Sequence, residues 1–312
     1  MDDLFNQPSF PFVLFLLIAS PIAWVLYAVR VSKHGPLTHE PRDEVPWGMF
    51  DLLLLIIFLF VGQLAATVFV KNMYGIDFPN KVGDFANLPA VDRARVIATN
   101  SVIKLLATVL GFAAIALKNR ASLTDLGIHV GRAPRDLLLG AFSFLLLVPP
   151  VLLIQTILVL WWESKHPLVE MLQDDPSVYF FMVTILSAVV VAPVVEELMY
   201  RVLLQGWMEK ISSHEGDPTE LLLGRVPRHR DTVGSDEKRA SSPTWWPILA
   251  SAAIFALMHH QHGPDPIPLF LFAMGLGYLY QRTHRILPSI VVHFLLNATS
   301  VAVLMLDLPG AD

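Results

Sequence analysis

The chain has no cysteine and few charged residues for its length. The absence of cysteine excludes disulfide bonds, thiolate metal sites and a cysteine nucleophile. Charged residues make up 16% of the 312 residues, whereas hydrophobic residues make up 54%. Soluble globular domains carry about 25% charged residues. The composition therefore favours a membrane protein, with membrane lipid as its surroundings and no nucleic-acid partner.

The apolar residues are gathered in long runs, and the two-residue alternation of a membrane β-barrel is missing from them. A helix needs about 20 apolar residues to cross the hydrocarbon layer, and it satisfies its own backbone groups there. Two of these runs, Trp245–His259 and Ile267–Tyr280, are short enough to be tilted or partly covered by neighbouring helices. We predict an all-α, polytopic transmembrane helical bundle of about eight spans. The runs are Phe10–Val29, Leu52–Val70, Ile97–Leu117, Leu137–Trp161, Val178–Leu204, Trp245–His259, Ile267–Tyr280 and Ile286–Leu306.

The distribution of basic residues predicts the orientation of the bundle. The odd-numbered connections hold 15 Lys and Arg residues, against 5 in the even-numbered connections and the tails. Because cytoplasmic loops carry the excess of these residues, we expect the odd-numbered connections in the cytoplasm and both termini outside. Residues 208–243 are polar and contain several Gly and Pro residues, so they are predicted to form a cytoplasmic insertion.

The fifth span contains charged residues where lipid is expected to surround it. Its sequence VVVAPVVEELMYRVLLQGW places Glu196, Glu197 and Arg201 together. A charge near the middle of a span costs about 2.5 to 3.5 kcal/mol on insertion scales, so such residues need a reason to be there. Glu197 and Arg201 are four residues apart and are predicted to form an ion pair. Glu196 has no such partner on its own helix, which suits a general base.

Two later spans carry imidazole and amide groups. His259 ends the sixth span on the same face as Phe255, whereas the neighbouring His260 is predicted to be interfacial. The eighth span carries His293 and Asn297, again four residues apart. Taken singly, a histidine in a span is usually a packing residue, and an asparagine often forms an interhelical hydrogen bond. Together with the glutamates, these groups predict a water-filled site between helices in the second half of the chain.

The three motifs, in this order, resemble the CPBP family, which includes type II CAAX prenyl proteases and bacteriocin-processing enzymes and is also called the Abi family. They occur here as Glu196-Glu197-x-x-x-Arg201, Phe255-x-x-x-His259 and His293-x-x-x-Asn297. The segment that begins at Ser122 also resembles the lead-in to the family core. We therefore expect a catalytic membrane domain at 122–306, preceded by an N-terminal membrane region of about three spans at 1–121.

The resemblance implies an intramembrane endopeptidase with a site open to the cytoplasm, in a multi-pass protein of the bacterial inner membrane. Its substrate would be a peptide or protein with a membrane-associated segment, either a CAAX-type tail or a bacteriocin-like peptide. The family roles imply that Glu196 and His259 activate the attacking water. They also imply that His293 and Asn297 stabilise the oxyanion. Glu197 and Arg201 would hold the motif helix in place.

The involvement of a metal stays open at this point. Glu196, His259 and His293 would form a sensible zinc set with a fourth position for water, and the family has been described both as metalloprotease and as glutamate-dependent. A carboxylate and an imidazole that share a water need no metal, and metal-free chemistry is the interpretation we favour.

Two other functions compete with the protease. Intramembrane carboxylates and histidines also serve proton-coupled transporters, but the sequence shows no internal repeat. A non-catalytic membrane scaffold could use the same pocket to bind partners, and the intact motifs argue against it. Peptide cleavage that depends on Glu196 distinguishes the protease from both alternatives.

Overall fold

A computed structural model describes residues 7–78, 85, 87–162, 178–213, 217–224, 243–260 and 263–306. All regular secondary structure within these ranges is helical, including a short 3₁₀ turn before α4. The helices are α1 (Phe10–His34), α2 (Met49–Tyr74), α3 (Ala90–Asn119), α4 (Ala133–Val159), α5 (Val178–Ser213), α6 (Thr219–Leu223), α7 (Trp246–Leu257), α8 (Pro266–Thr283) and α9 (Ile286–Leu306).

Six of the described helices are long and apolar enough to cross a membrane, namely α1 to α5 and α9. The other two apolar helices are short, with 12 residues in α7 and 18 in α8. At 1.5 Å per residue α7 covers about 18 Å, which is less than the hydrocarbon thickness. These two helices pack against each other and against neighbouring spans. The all-α polytopic bundle is confirmed, and α7 and α8 are the two short runs of the predicted eight.

A proline in α4 frees a backbone carbonyl that a neighbouring helix satisfies. Pro150 lies inside α4 and has no N–H to donate to the Leu146 carbonyl one turn earlier. The indole of Trp24 in α1 donates to that carbonyl instead, at 3.1 Å. Because an unsatisfied backbone group in lipid costs several kcal/mol, this bond ties α1 to α4.

A second proline acts in the same way in α5. The segment Leu186–Val191 is π-helical, and the Ala192 N–H donates five residues back to Ser187. In this register the next N–H would reach Ala188, but the next residue is Pro193. The free Ala188 carbonyl accepts a hydrogen bond of 2.7 Å from the Asn297 amide of α9. This bond ties α9 to α5 near the predicted site.

The N-terminal helices share their core with the C-terminal half of the chain. One buried apolar cluster joins α1 and α4 to α8 and α9. A second joins α2 and α3 to α5 and includes Trp47, which precedes α2 and is fully buried. The region predicted at 1–121 therefore packs against the region predicted at 122–306 through these two clusters, although their division into two domains stays a prediction.

The connection 35–48 crosses the end of the bundle and holds its helices together. Trp47 donates its indole N–H to the Leu203 carbonyl in α5 at 3.1 Å. Arg42 pairs with Glu209 of the same helix at 3.0 Å. These contacts anchor the predicted cytoplasmic end of α5 to the N-terminal part of the chain.

The polar stretch predicted at 208–243 starts within a helix. Residues 208–213 are the last turns of α5, and Trp207 just before them donates to the Leu221 carbonyl at 2.8 Å. The short helix α6 therefore packs against the bundle instead of lying free in solvent. Residues 214–216 and 225–242 of this predicted insertion lie outside the described residues.

Helices α4 and α9 approach each other closely at a glycine, which gives a test of the packing. A Cβ at Gly140 would lie 2.6 Å from the Val291 Cβ and 2.9 Å from the Pro288 carbonyl, whereas a Cβ at Gly131 would meet nothing within 4 Å. We expect Gly140→Leu to lower the free energy of unfolding by about 3 kcal/mol, because it overfills the contact. Thermal unfolding in detergent, with Gly131→Leu as the control, measures this. Equal melting temperatures for the two variants would show that the helices are not in close contact.

Candidate active site

A fully buried carboxylate, Glu197, lies at the centre of a polar cluster between α5 and α9. Its Oε2 contacts Nε of Arg201 at 3.1 Å, so the ion pair predicted from the spacing is present. Its Oε1 contacts Nδ1 of His293 at 2.9 Å. Both carboxylate oxygens therefore have a partner, one on α5 itself and the other on α9.

Arg201 extends the cluster to α7. Its side chain is fully buried, and Nη1 donates to the Ser251 hydroxyl at 3.2 Å. That hydroxyl in turn donates to the Tyr200 carbonyl at 3.0 Å. The guanidinium group also lies over the ring of Phe255, 5.6 Å from its centre. Arg201 thus holds α5 against α7 while it neutralises the buried glutamate.

Glu196 lies beside this cluster but is partly open. Its side chain is 20% exposed, and its Oε2 is 3.9 Å from Nε2 of His293. This separation is too long for a direct hydrogen bond. It is suitable for a water molecule that bonds to both groups. The carboxylate and the imidazole are therefore placed to share one water.

The ring of His293 is held in one orientation. With Nδ1 on Glu197, Nε2 is directed towards Glu196. The rings of Phe255 and Phe272 meet the imidazole edge-on, with centroids at 5.9 and 5.4 Å. Such packing leaves Nε2 as the ring nitrogen that can act on a substrate.

His259 lies just beyond the end of α7, next to Phe255. Its Nδ1 lies 2.8 Å from the Phe255 carbonyl, which leaves Nε2 on the opposite side of the ring. Its ring centre lies 4.8 Å from that of Phe255, so this phenylalanine contacts both imidazoles. His260, in contrast, is exposed and bonds back to the Leu257 carbonyl. The choice of His259 over His260 stays a prediction.

The comparison with known families supports this assignment of the region. The family model described as type II CAAX prenyl endopeptidase, Rce1-like, matches residues 178–299. This segment runs from the start of α5 into α9 and contains all three motifs. Over these residues the chain is similar to that family. Separate searches of curated proteins and of solved structures find no match for it.

The described residues of the matched segment are not grouped as a metal site. Among the described residues, no three His, Asp or Glu side chains are arranged so that they could hold a metal ion. Nδ1 of His293 is on Glu197 and Nδ1 of His259 is on a backbone carbonyl, so each imidazole has only Nε2 to offer. The zinc set suggested by the sequence, Glu196 with the two histidines, is not found as a group among the residues that the structure describes.

Asn297 has a structural role besides the role that the resemblance implies for it. Because its amide satisfies the carbonyl that Pro193 leaves free, we expect Asn297→Leu to cost about 1–3 kcal/mol of unfolding free energy. Pro193→Ala restores an N–H that can reach Ala188, so the same substitution should cost less in that background. A double-mutant cycle by thermal unfolding measures the difference. An equal cost in both backgrounds would mean that the carbonyl is not the cause.

Sequence reasoning missed three residues that support the site. Tyr200 packs its ring edge-on against Phe255 at 5.2 Å, and Ser251 links Arg201 to the Tyr200 carbonyl. Gln205 is fully buried and donates both to the Gly277 carbonyl and to Glu209. For Gln205 the sequence did contain a signal, because the polar residues of α5 recur every four positions from Glu197 to Glu209. No comparable pattern pointed to Ser251.

Proposed function

We propose that this chain is an intramembrane endopeptidase in which Glu196 activates a water that attacks a peptide bond. The observation that carries the proposal is the pair formed by the partly open Glu196 and the Nε2 atom of His293, 3.9 Å apart inside the bundle. A carboxylate that retains access to water beside a fixed imidazole suits proton transfer. The match to an endopeptidase family supports the same reaction class.

In this mechanism Glu196 transfers the proton from the water to the leaving amine. Glu196 takes a proton from the water as the water oxygen bonds to the scissile carbonyl carbon, which produces a tetrahedral oxyanion. The C–N bond then breaks, and the same proton passes from Glu196 to the departing amine. The products are a new carboxyl end and a new amino end, and no proton or electron is gained or lost overall.

The remaining polar residues of the site stabilise the oxyanion or hold the reacting groups in position. As the doubly protonated imidazolium, His293 donates from Nε2 to the oxyanion, while its Nδ1–H donates to Glu197 and keeps the ring oriented. His259 acts with Glu196 on the water through its Nε2. Asn297 holds α5 in place through Ala188, and its second amide hydrogen is available to the oxyanion. Arg201 neutralises Glu197, so that the buried carboxylate does not compete with Glu196 for the water's proton.

The substrate is a peptide with a membrane-associated segment, either a CAAX-type tail or a bacteriocin-like peptide. The polar stripe of α5 runs from the site to Glu209, which meets Arg42 in a connection predicted to be cytoplasmic. We propose that the site opens towards this cytoplasmic end of the bundle, in a bacterial inner membrane.

Reconstitution in liposomes tests the proposal. The purified chain is incubated with a lipid-anchored peptide and with the same peptide lacking the anchor, and the products are identified by mass spectrometry. We expect cleavage of the anchored peptide at one bond. Solute flux driven by a pH gradient, with no peptide product from any substrate, would instead identify a transporter.

A further inference from the structure

A cavity of about 410 Å³ lies between α1, α4 and α8. Its wall is almost entirely apolar or aromatic. The residues that define its shape are Trp24, Tyr27, Leu139, Leu147, Leu271 and Tyr278. The volume is in the range of ordinary small-molecule pockets, and an apolar wall of this kind suits a hydrocarbon chain.

Two arginines lie at the mouth of this cavity. Arg30 lines it, and the guanidinium group of Arg282 lies 5.1 Å from the centre of the Tyr278 ring. Since Arg30 and Tyr278 both line this cavity, the two guanidinium groups lie beside the same cavity. Arg30 bonds only to the carbonyl of Gly35, and the buried Nε of Arg282 has no hydrogen-bond partner within the described residues.

The same mouth carries the aromatic residues typical of a membrane interface. Trp24 and Trp245 are both about half exposed, and Trp245 stacks on Tyr278 at 5.8 Å with an interplanar angle of 15°. Amphipathic rings of this kind favour the level of the lipid headgroups. The arginines therefore lie where the phosphate of a lipid would be, and the apolar cavity extends from there towards the hydrocarbon.

The cavity and the candidate active site lie on different faces of α8. Leu271, Met274 and Tyr278 face the cavity, whereas Phe272 faces His293. Part of the wall comes from α1, which lies outside the segment that matches the CPBP family. The cavity is thus not an extension of the catalytic cluster.

We infer that this cavity binds one anionic phospholipid of the surrounding leaflet, with its phosphate between Arg30 and Arg282 and an acyl chain inside. The charge is complementary, because no acidic side chain among the described residues pairs with either arginine. Arginine also suits phosphate well, since its planar group donates to two oxygens at once. The lipid would fill the space between α1 and the helices of the site, and this role does not depend on the proposed peptidase activity.

Native mass spectrometry of the delipidated full chain tests this site. Phosphatidylglycerol and phosphatidylcholine with the same acyl chains are titrated separately. We expect one phosphatidylglycerol to bind tightly, and Arg30→Gln/Arg282→Gln to weaken it about 30-fold, the combined effect of two basic residues at an anionic surface. Lys33→Gln is the matched control, because Lys33 is an exposed cation at the same end of α1 that does not line the cavity. Leu271→Trp, which fills the cavity, should weaken binding as well.

Three outcomes would overturn the inference. Equal affinity for the two lipids would show that the arginines do not select the headgroup. Displacement of phosphatidylglycerol by inorganic phosphate alone would show that the acyl chain contributes nothing. Competition between a lipid-anchored peptide and phosphatidylglycerol for this one site would show that it binds substrate. If the double variant does not fold, Arg30→Gln alone is used with an expected loss of about fivefold, since Arg30 is exposed at the surface.

Discussion

Replacing Glu196 with glutamine is expected to lower kcat/KM for peptide cleavage by about 100- to 10,000-fold, the usual contribution of a general base. Glutamine keeps the size and polarity of the side chain but cannot accept the proton of the attacking water. The carboxylate is partly exposed, and its ion-pair contact with a described residue, His293, is long at 3.9 Å, so its loss should leave the fold intact. Cleavage of a lipid-anchored peptide in proteoliposomes, followed by mass spectrometry, measures the effect.

Glu220→Gln is the control for this substitution. It changes the same chemical group on α6, away from the polar cluster, and it should cleave as fast as the parent protein. Thermal unfolding of both variants checks that each is folded. Full activity of a folded Glu196→Gln protein would show that a different group removes the proton, and the proposed mechanism would be wrong.

Replacing Arg201 with methionine is expected to destabilise the bundle by about 3–5 kcal/mol. The substitution leaves the carboxylate of Glu197 fully buried without the cation that contacts it on its own helix. Removal of one partner from a buried ion pair strands the other charge, and that penalty exceeds the loss of the contact itself. It also removes the link from α5 to Ser251 in α7. Unfolding in detergent, followed by circular dichroism, gives the change.

A second variant separates the effect of the Arg201 charge on stability from the effect of its packing. In Glu197→Gln/Arg201→Met both charges of the buried pair are removed together, and the glutamine oxygen can still accept from Nδ1 of His293. We expect this double variant to recover most of the stability lost in Arg201→Met. If it is instead less stable than the single variant, the contribution of Arg201 is packing against Phe255 and not neutralisation of the carboxylate.

Part of the candidate site was predictable because it depends on spacing within one helix. Glu197 and Arg201 are four residues apart, and a helix brings such residues together whatever surrounds it. The bond from Nδ1 of His259 to the Phe255 carbonyl has the same local origin. The membrane class was predictable for a similar reason, since runs of apolar residues are counted directly along the chain.

The partner of His293 was not predictable in this way. The spacing in α9 puts His293 and Asn297 on one face, but it does not say which glutamate of α5 they meet. In the structure Nδ1 contacts Glu197 and Nε2 is directed to Glu196. The π-helical segments at Leu186–Val191 and Leu198–Gln205 change the rotation of α5 on both sides of the glutamates. No periodicity in the sequence predicts such a change in the rotation of the helix.

The amino-acid sequence by itself determined the membrane class, the three motifs and the pair within α5, because each of these depends on residues close together in one helix. Only the tertiary structure decided that Asn297 satisfies Ala188, that Trp47 anchors an N-terminal connection to α5, and that a basic-rimmed cavity lies beside α1. These features depend on how whole helices rotate and approach each other. That arrangement is set by the packing of many apolar side chains at once, and no single spacing along the chain contains it.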